Sequence, residues 1–186
     1  MNISKDLNLV VKTEGDVYFH HSPILYETFK KYHFVICSTF TKLLTAGMQI
    51  TGAQVAAMTL EETAKEMGKW EGPEGIKDGL IGEIERLTNV ICLSDSGWES
   101  FPVNIALSRN FVEEEDWEEA KQRIVFFTLI CAMTKKEVRN DLLTIMNDSW
   151  QTQTTLSGCT DFAVSLQTLK ETETSRKKVK QSSVPH

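Results

Sequence analysis

The stretch AKQRIVFFTLICAM, residues 120–133, contains the longest apolar run of the chain, Ile124–Met133. A membrane-spanning helix needs roughly 20 such residues, and this run has about half that number. It therefore predicts a helix of the protein core. The chain has 186 residues, of which 41% are hydrophobic and 25% charged. Those are ordinary globular values, and a chain of this length can form a core without disulfides or metals.

The helical pattern extends on both sides of this run, from Phe111 to Trp150. Its first turn is acidic, with four carboxylates at Glu113–Asp116, which suits the positive end of a helix dipole. The pair Lys135–Lys136 predicts a helix end or a kink inside the stretch.

Four further helices are predicted before residue 110. The clearest begins at Ser22–Pro23 and stops at Gly47, because apolar residues recur there at steps of three and four. The second runs over Gln54–Met67, and the third covers residues 76–89. A short, turn-rich helix is predicted at Val103–Leu107, after Pro102.

Two short hairpins are predicted around these helices. In the first, Leu7, Leu9 and Val11 alternate with polar residues, although Val10 interrupts the pattern, and turn residues lead into Val17–His21. The second joins residues 90–93 to residues 98–101 through a Ser-Asp-Ser-Gly turn.

The fold class is therefore predicted as α+β, mainly helical, with about five helices and two small β-hairpins. The predicted core consists of apolar residues from the three strongest helical patterns: Phe29, Ile36, Phe40, Leu80, Ile84, Leu87, Ile124, Phe127 and Ile130.

The composition changes after Trp150, so the predicted domain covers residues 1–150 and the predicted flexible tail covers residues 151–186. About a third of the tail is Ser or Thr, and Arg176–Lys180 is basic. Such a segment has little apolar surface to offset its ordering entropy. One patch is spaced to form an apolar face on binding a partner, and with Trp150 it is the predicted partner-binding site: Phe162, Leu166 and Leu169. The alternative is that this patch packs on the domain.

The net charge restricts the class of partner, and the cysteines indicate the cellular compartment. The net charge of −6 argues against nucleic acid, which requires a basic face. The four cysteines are scattered, without a CxxC pair, and the first residues do not resemble a signal peptide. We therefore expect free thiols, a cytoplasmic protein and no membrane partner.

No motif predicts a catalytic residue, a metal ligand or a cofactor. His33 and Cys37 are spaced for one helix face, but no third zinc ligand accompanies them. The carboxylates Glu61, Glu62 and Glu66 lack the partners of an acid–base pair, and a solvated helix face is the better interpretation. The glycines between Gly68 and Gly82 match no phosphate loop, and caps, turns and close packing explain them better.

The four tryptophans lie near the ends of predicted elements: Trp70, Trp98, Trp117 and Trp150. Each position alone favours half-buried packing. As a set they raise the chance of a surface that binds protein.

Several stretches together resemble the tail assembly chaperones of long-tailed bacteriophages, which are encoded just before the tape measure protein. They are the opening hairpin, KEMGKWEGPEGIKDGLIGEIERLTNV at residues 65–90 and GWESFP at residues 97–102, followed by the core run and SWQTQTTLSGCTDFAVSL at residues 149–166. The resemblance covers most of residues 7–170.

The resemblance implies a non-enzymatic protein of the host cytoplasm. Such a chaperone binds the helical tape measure protein and recruits tail-tube subunits during virion assembly. The resemblance is also compatible with a homo-oligomer of this chain. The alternative function is a structural virion protein of the tail or the head–tail joint.

Overall fold

The computed structural model describes residues 7–13, 16–48, 51–94 and 97–168. The strands in these ranges are β1 (Asn8–Lys12), β2 (Val17–His21), β3 (Thr88–Ser94), β4 (Gly97–Pro102) and β5 (Thr152–Thr155). The helices are α1 (Tyr26–Thr45), α2 (Ala56–Glu66), α3 (Gly82–Arg86), α4 (Val103–Ser108), α5 (Glu114–Met133), α6 (Lys136–Ser149) and α7 (residues 159–168). The predicted α+β class is confirmed, with seven α-helices in the described residues rather than about five.

The strands form one antiparallel sheet in the order β4-β3-β2-β1-β5. The two predicted hairpins, β1–β2 and β3–β4, are both present. They are not separate, however, because β2 pairs with β3 along its whole length, from Val17↔Cys92 to His21↔Thr88. The sheet was therefore larger than the sequence patterns predicted, by this junction and by the polar edge strand β5.

The strands bury side chains on both faces of the sheet. On the inner face, Leu9, Val11 and Phe19 join the main core cluster. On the outer face, Val10 and Ile91 form a smaller cluster with Phe162 and other α7 side chains. Val10 interrupts the alternation in β1 because both of its neighbours and Val10 itself are buried.

Helix α5 is the centre of the helical layer, as the apolar run predicted. It contacts the three helices α1, α2 and α6 as well as strand β1. Its side chains from Ile124 to Ala132 are all buried. A helix that is apolar around its circumference must be enclosed in this way. The ring of Phe127 meets the ring of His21 edge-on, with centroids 6.1 Å apart, which joins the helical layer to the sheet.

The helix ends follow local signals. Gly47, with φ of +70°, ends α1 in the left-handed conformation that favours glycine. Thr134 has an extended backbone and separates α5 from α6, so the predicted interruption at Lys135–Lys136 is confirmed. The start of α1 was predicted slightly early, since the helix begins at Tyr26.

The predicted core is largely confirmed. Six of the nine residues are fully buried: Ile36, Leu80, Ile84, Ile124, Phe127 and Ile130. The other three, Phe29, Phe40 and Leu87, are partly buried and pack against the same cluster.

The predicted boundary after Trp150 is wrong for residues 152–168. Strand β5 pairs with β1 in the register Asn8↔Thr155 to Val11↔Thr152. The carbonyl oxygen of Ser157 accepts hydrogen bonds from Asn8 Nδ2 at 3.1 Å and from His20 Nε2 at 3.0 Å. The segment was missed because β5 is too polar to show a strand pattern. Residues 169–186, with the basic run Arg176–Lys180, lie outside the described residues.

Candidate functional site

The predicted partner-binding residues do not form an exposed surface. Phe162 is buried on the outer face of the sheet, 5.8 Å from the ring of Tyr18 and 6.2 Å from that of His20. Leu166 is partly buried in the same cluster, and Trp150 packs against the main core. Leu169 lies outside the described residues. The apolar patch of α7 therefore packs on the domain, which was the alternative interpretation.

His20 and His21 end β2 with one ring toward each face of the sheet. His20 Nε2 donates to the Ser157 carbonyl. His21 Nδ1 donates to Thr88 Oγ1 at 2.9 Å, because that hydroxyl in turn donates to the Ile84 carbonyl. Burial lowers the pKa of His20. Burial is also the larger cause at His21, and the electrostatic interaction with His20 is the second; together they lower the pKa of His21 to about 3. Both rings are thus neutral structural groups at neutral pH.

His33 and Cys37 share α1 but point to different neighbours. His33 Nδ1 donates to the Lys30 carbonyl at 2.9 Å, whereas the Cys37 thiol contacts Met133 Sδ at 3.5 Å. Across the described ranges, no three His, Cys, Asp or Glu side chains are grouped so that they could hold a metal ion.

The candidate nucleophiles and carboxylates occupy ordinary structural positions. All four cysteines are free, as predicted, and burial raises the pKa of Cys131 to about 12. A thiol with a raised pKa is a poor nucleophile because the thiolate is the reactive form. Glu61 and Glu66 form surface ion pairs with Lys65 and Lys42, each at 2.5 Å.

Four of the five glycines between Gly68 and Gly82 serve turns and close packing, as predicted; Gly82 lies in α3 with open space around it. Gly68 and Gly72 have φ values of +62° and +97°. A Cβ on Gly75 would lie 2.7 Å from the Trp70 carbonyl oxygen. On Gly79 it would lie 1.8 Å from the hydroxyl oxygen of Tyr32, so this glycine makes room for the tyrosine ring.

The surface best suited to binding lies between α1 and the loop after α2, and we call it the Phe34 groove. It encloses a cavity of about 240 Å³. Its floor is apolar, with Val35 and Ile76 buried. The Phe34 ring is 69% exposed on one side, and Met67 is 39% exposed on the other. The charged side chains on the rim are Lys31, Lys69 and Glu74.

The loop that forms one wall of the groove is held by backbone hydrogen bonds. The amide of Ile76 donates to the Lys69 carbonyl at 2.9 Å, and that of Lys77 donates to the Trp70 carbonyl at 3.1 Å. Both walls of the groove therefore exist before any partner binds, which lowers the entropy cost of binding.

Sequence reasoning missed this groove, although Phe34 gave a signal. The buried stripe of α1 includes Tyr32, Ile36 and Leu43, and Phe34 lies about 200° from Tyr32 at about 100° per residue. A phenylalanine outside the core stripe is an exposed aromatic side chain, and such residues are enriched at protein interfaces.

A second cavity, of about 510 Å³, lies on the outer face of the sheet between α7 and β5. Its lining combines polar side chains, including Lys12, Gln151, Gln153 and Ser165, with apolar ones from Val10, Tyr18, Phe162 and Leu166. None of the apolar residues that line it is as exposed as Phe34 or Met67, so it is the weaker candidate for binding a protein segment.

No family model, curated protein or solved structure matches the chain. Within the part of the chain that the structure describes, no helix is long and apolar enough to cross a membrane.

Proposed function

We propose that this chain is a non-enzymatic assembly chaperone of the host cytoplasm. Its clients would be the tape measure protein and the tail-tube subunits of a long-tailed phage. The resemblance of residues 7–170 to tail assembly chaperones suggests these partners. The proposal agrees with an acidic, α+β fold that presents apolar side chains to solvent.

The observation that carries the proposal is the exposure of large apolar side chains on an acidic protein. Phe34 is 69% exposed and Met67 is 39% exposed, while the net charge is −6. A holding chaperone needs apolar surface to bind its client and net charge to keep the complex in solution. Single exposed apolar residues are common, so the argument depends on those that border a groove.

Such a surface supports reversible binding. Burying apolar surface contributes about 25 cal/mol per Å², and part of that gain offsets the entropy lost on association. A groove that holds one or two client side chains therefore gives a complex that subunits can displace. An assembly chaperone must release its client in this way when the tail tube forms.

The resemblance implies that the gene immediately downstream encodes the long helical tape measure protein, and the direct test is co-expression with that protein. We expect this chain to raise the soluble fraction of that protein, measured after centrifugation, and to co-purify with it. An unrelated acidic protein of similar size serves as the control. If the soluble fraction is the same with either, the proposal fails.

Mass spectrometry of purified particles and infected lysate separates the two candidate functions. A chaperone should be abundant in lysate and depleted from finished particles. Stoichiometric recovery from the particles would instead support the structural virion protein.

A further inference from the structure

We infer that the Phe34 groove is the client-binding surface, and that its occupant is an amphipathic helix carrying a large apolar side chain next to an acidic residue. This inference rests on the proposed function for the identity of the client. The class of segment follows from the groove itself.

The apolar part of the occupant follows from the walls and floor of the groove. Tyr32, Val35 and Ile76 are buried beneath an open cavity of about 240 Å³. Replacing loosely held water over an apolar floor with an apolar side chain favours binding. The same side chain would bury the exposed faces of Phe34 and Met67.

The acidic part follows from the charges on the rim. Two lysines and one glutamate border the groove, although the chain as a whole carries a net charge of −6. The single carboxylate, Glu74, is already paired with Lys69 at 3.0 Å. Lys31 lies over the Tyr32 ring, with its Nζ 5.0 Å from the centroid. The groove is thus a locally cationic site on an acidic protein, and an acidic segment complements it.

The helical form of the occupant follows from the shape of the site. One wall is α1, a 20-residue helix, and the other is the ordered turn that ends α2. Neither wall has a strand edge to which an extended segment could add. A helix laid beside α1 would present residues at steps of three and four to the groove, which is the usual mode of helix recognition. Met67 suits such a surface because its flexible side chain adapts to different contacts.

Tyr32 connects the groove to the packing behind it. Its hydroxyl fits against Gly79 in the π-helical turn Lys77–Ile81, which precedes α3, and a Cβ on this glycine would lie 1.8 Å away. Gly79→Ala therefore has to move the Tyr32 ring, which changes the floor of the groove without touching the occupant. We expect this variant to weaken binding while Phe34 and Met67 remain in place.

The test uses the full chain and two synthetic 18-residue helical peptides with the same leucine stripe, one flanked by glutamate and the other by lysine. Binding is measured by fluorescence anisotropy. We expect the glutamate peptide to bind the wild type at least tenfold more tightly than the lysine peptide. Lys31→Glu should reduce that preference by at least fivefold. If the wild type binds neither peptide, or binds both equally, the inference is wrong.

Variants at matched exposed positions distinguish binding in the groove from nonspecific hydrophobic binding. Phe34→Ser and Met67→Ser should each weaken glutamate-peptide binding by tenfold or more. Met58→Ser is the control, since Met58 lies on α2 and is 64% exposed outside the groove. All three variants replace exposed side chains, and thermal unfolding should show melting temperatures close to that of the wild type. Equal losses at Met58 and Met67 would overturn the inference.

Co-expression with the downstream helical protein separates this inference from the proposed function. If the wild type and Phe34→Ser both keep that protein soluble, the groove is not the client site and the proposed function stands. If the wild type does not keep that protein soluble, the proposed function is wrong, and the peptide measurements alone show whether the groove binds an acidic amphipathic helix. If only Phe34→Ser fails, both are supported.

Discussion

The two faces of the sheet are covered in very different ways. The inner face meets the main core, in which α5 is enclosed by other helices. The outer face meets one short helix, α7, through a cluster built around Val10, Ile91 and Phe162. The inner face shows how strongly periodic helices form a core. The outer face shows that a mainly polar segment with a few apolar residues can cover the sheet and form a second, smaller hydrophobic cluster.

Removing residues 151–186 is the strongest test of whether both faces belong to one folding unit. The truncation deletes β5 and α7, which exposes the β1 edge, Val10 and Ile91 to water. We expect the melting temperature to fall by more than about 5 °C, which corresponds to roughly 2 kcal/mol or more for a domain of this size. Calorimetry of the truncated chain measures it. An unchanged melting temperature would show that the outer face contributes nothing.

Phe127→Ala tests the inner face. The ring is fully buried between α5 and the sheet, against His21. A buried phenylalanine truncated to alanine loses about 3–5 kcal/mol through lost burial and the cavity left behind. Urea unfolding should show that loss, with an unchanged slope as evidence that the fold is retained. A loss below about 1 kcal/mol would mean that α5 is not the centre of the core.

Sequence alone predicted the inner face well and the outer face poorly, for identifiable reasons. The run around Phe127 is apolar on every side, so its burial was clear. Phe162 lies in a Ser- and Thr-rich stretch that showed no comparable pattern. A signal for two-sided burial was present, however, in the unbroken apolar runs Leu9–Val11 and Val90–Cys92. The Phe34 groove also escaped prediction, because the loop after α2 that forms one wall is distant in sequence from α1, which forms the other.

The pH dependence of the free energy of unfolding tests the two histidines at the end of β2, which lie on opposite faces of the sheet. Below pH 6.5 the unfolded chain binds a proton at His21 that the folded chain, with a pKa of about 3, does not bind. The free energy of unfolding therefore falls as the pH falls from 6.5 toward 3. Between pH 7.5 and pH 5, His21 should account for about 2 kcal/mol of this loss.

His21→Leu is the variant that measures this contribution. Between pH 7.5 and pH 5, the free energy of unfolding of this variant should fall by about 2 kcal/mol less than that of the wild type. Urea unfolding at pH 7.5, 6.0 and 5.0 gives the comparison. Parallel curves for the two proteins would show that His21 is protonated in the folded state or exposed to water.

The smallest expected effect is at Leu156, in the connection between β5 and α7. Its side chain is 74% exposed, so Leu156→Ser removes little buried surface. We expect the free energy of unfolding to change by less than about 0.5 kcal/mol. A larger loss would show that the connection itself, and not only the side chains around Phe162, holds α7 to the sheet.

The position of β1 in the sheet has a consequence for synthesis on the ribosome. One neighbour, β2, follows within a few residues, whereas the other, β5, begins at Thr152. Until that residue has left the exit tunnel, one edge of β1 has no strand to pair with. Translation that stops earlier leaves an open strand edge, which is a template for aggregation. A change of reading frame or a fusion placed after residue 168 leaves the five described strands and the described part of α7 in place.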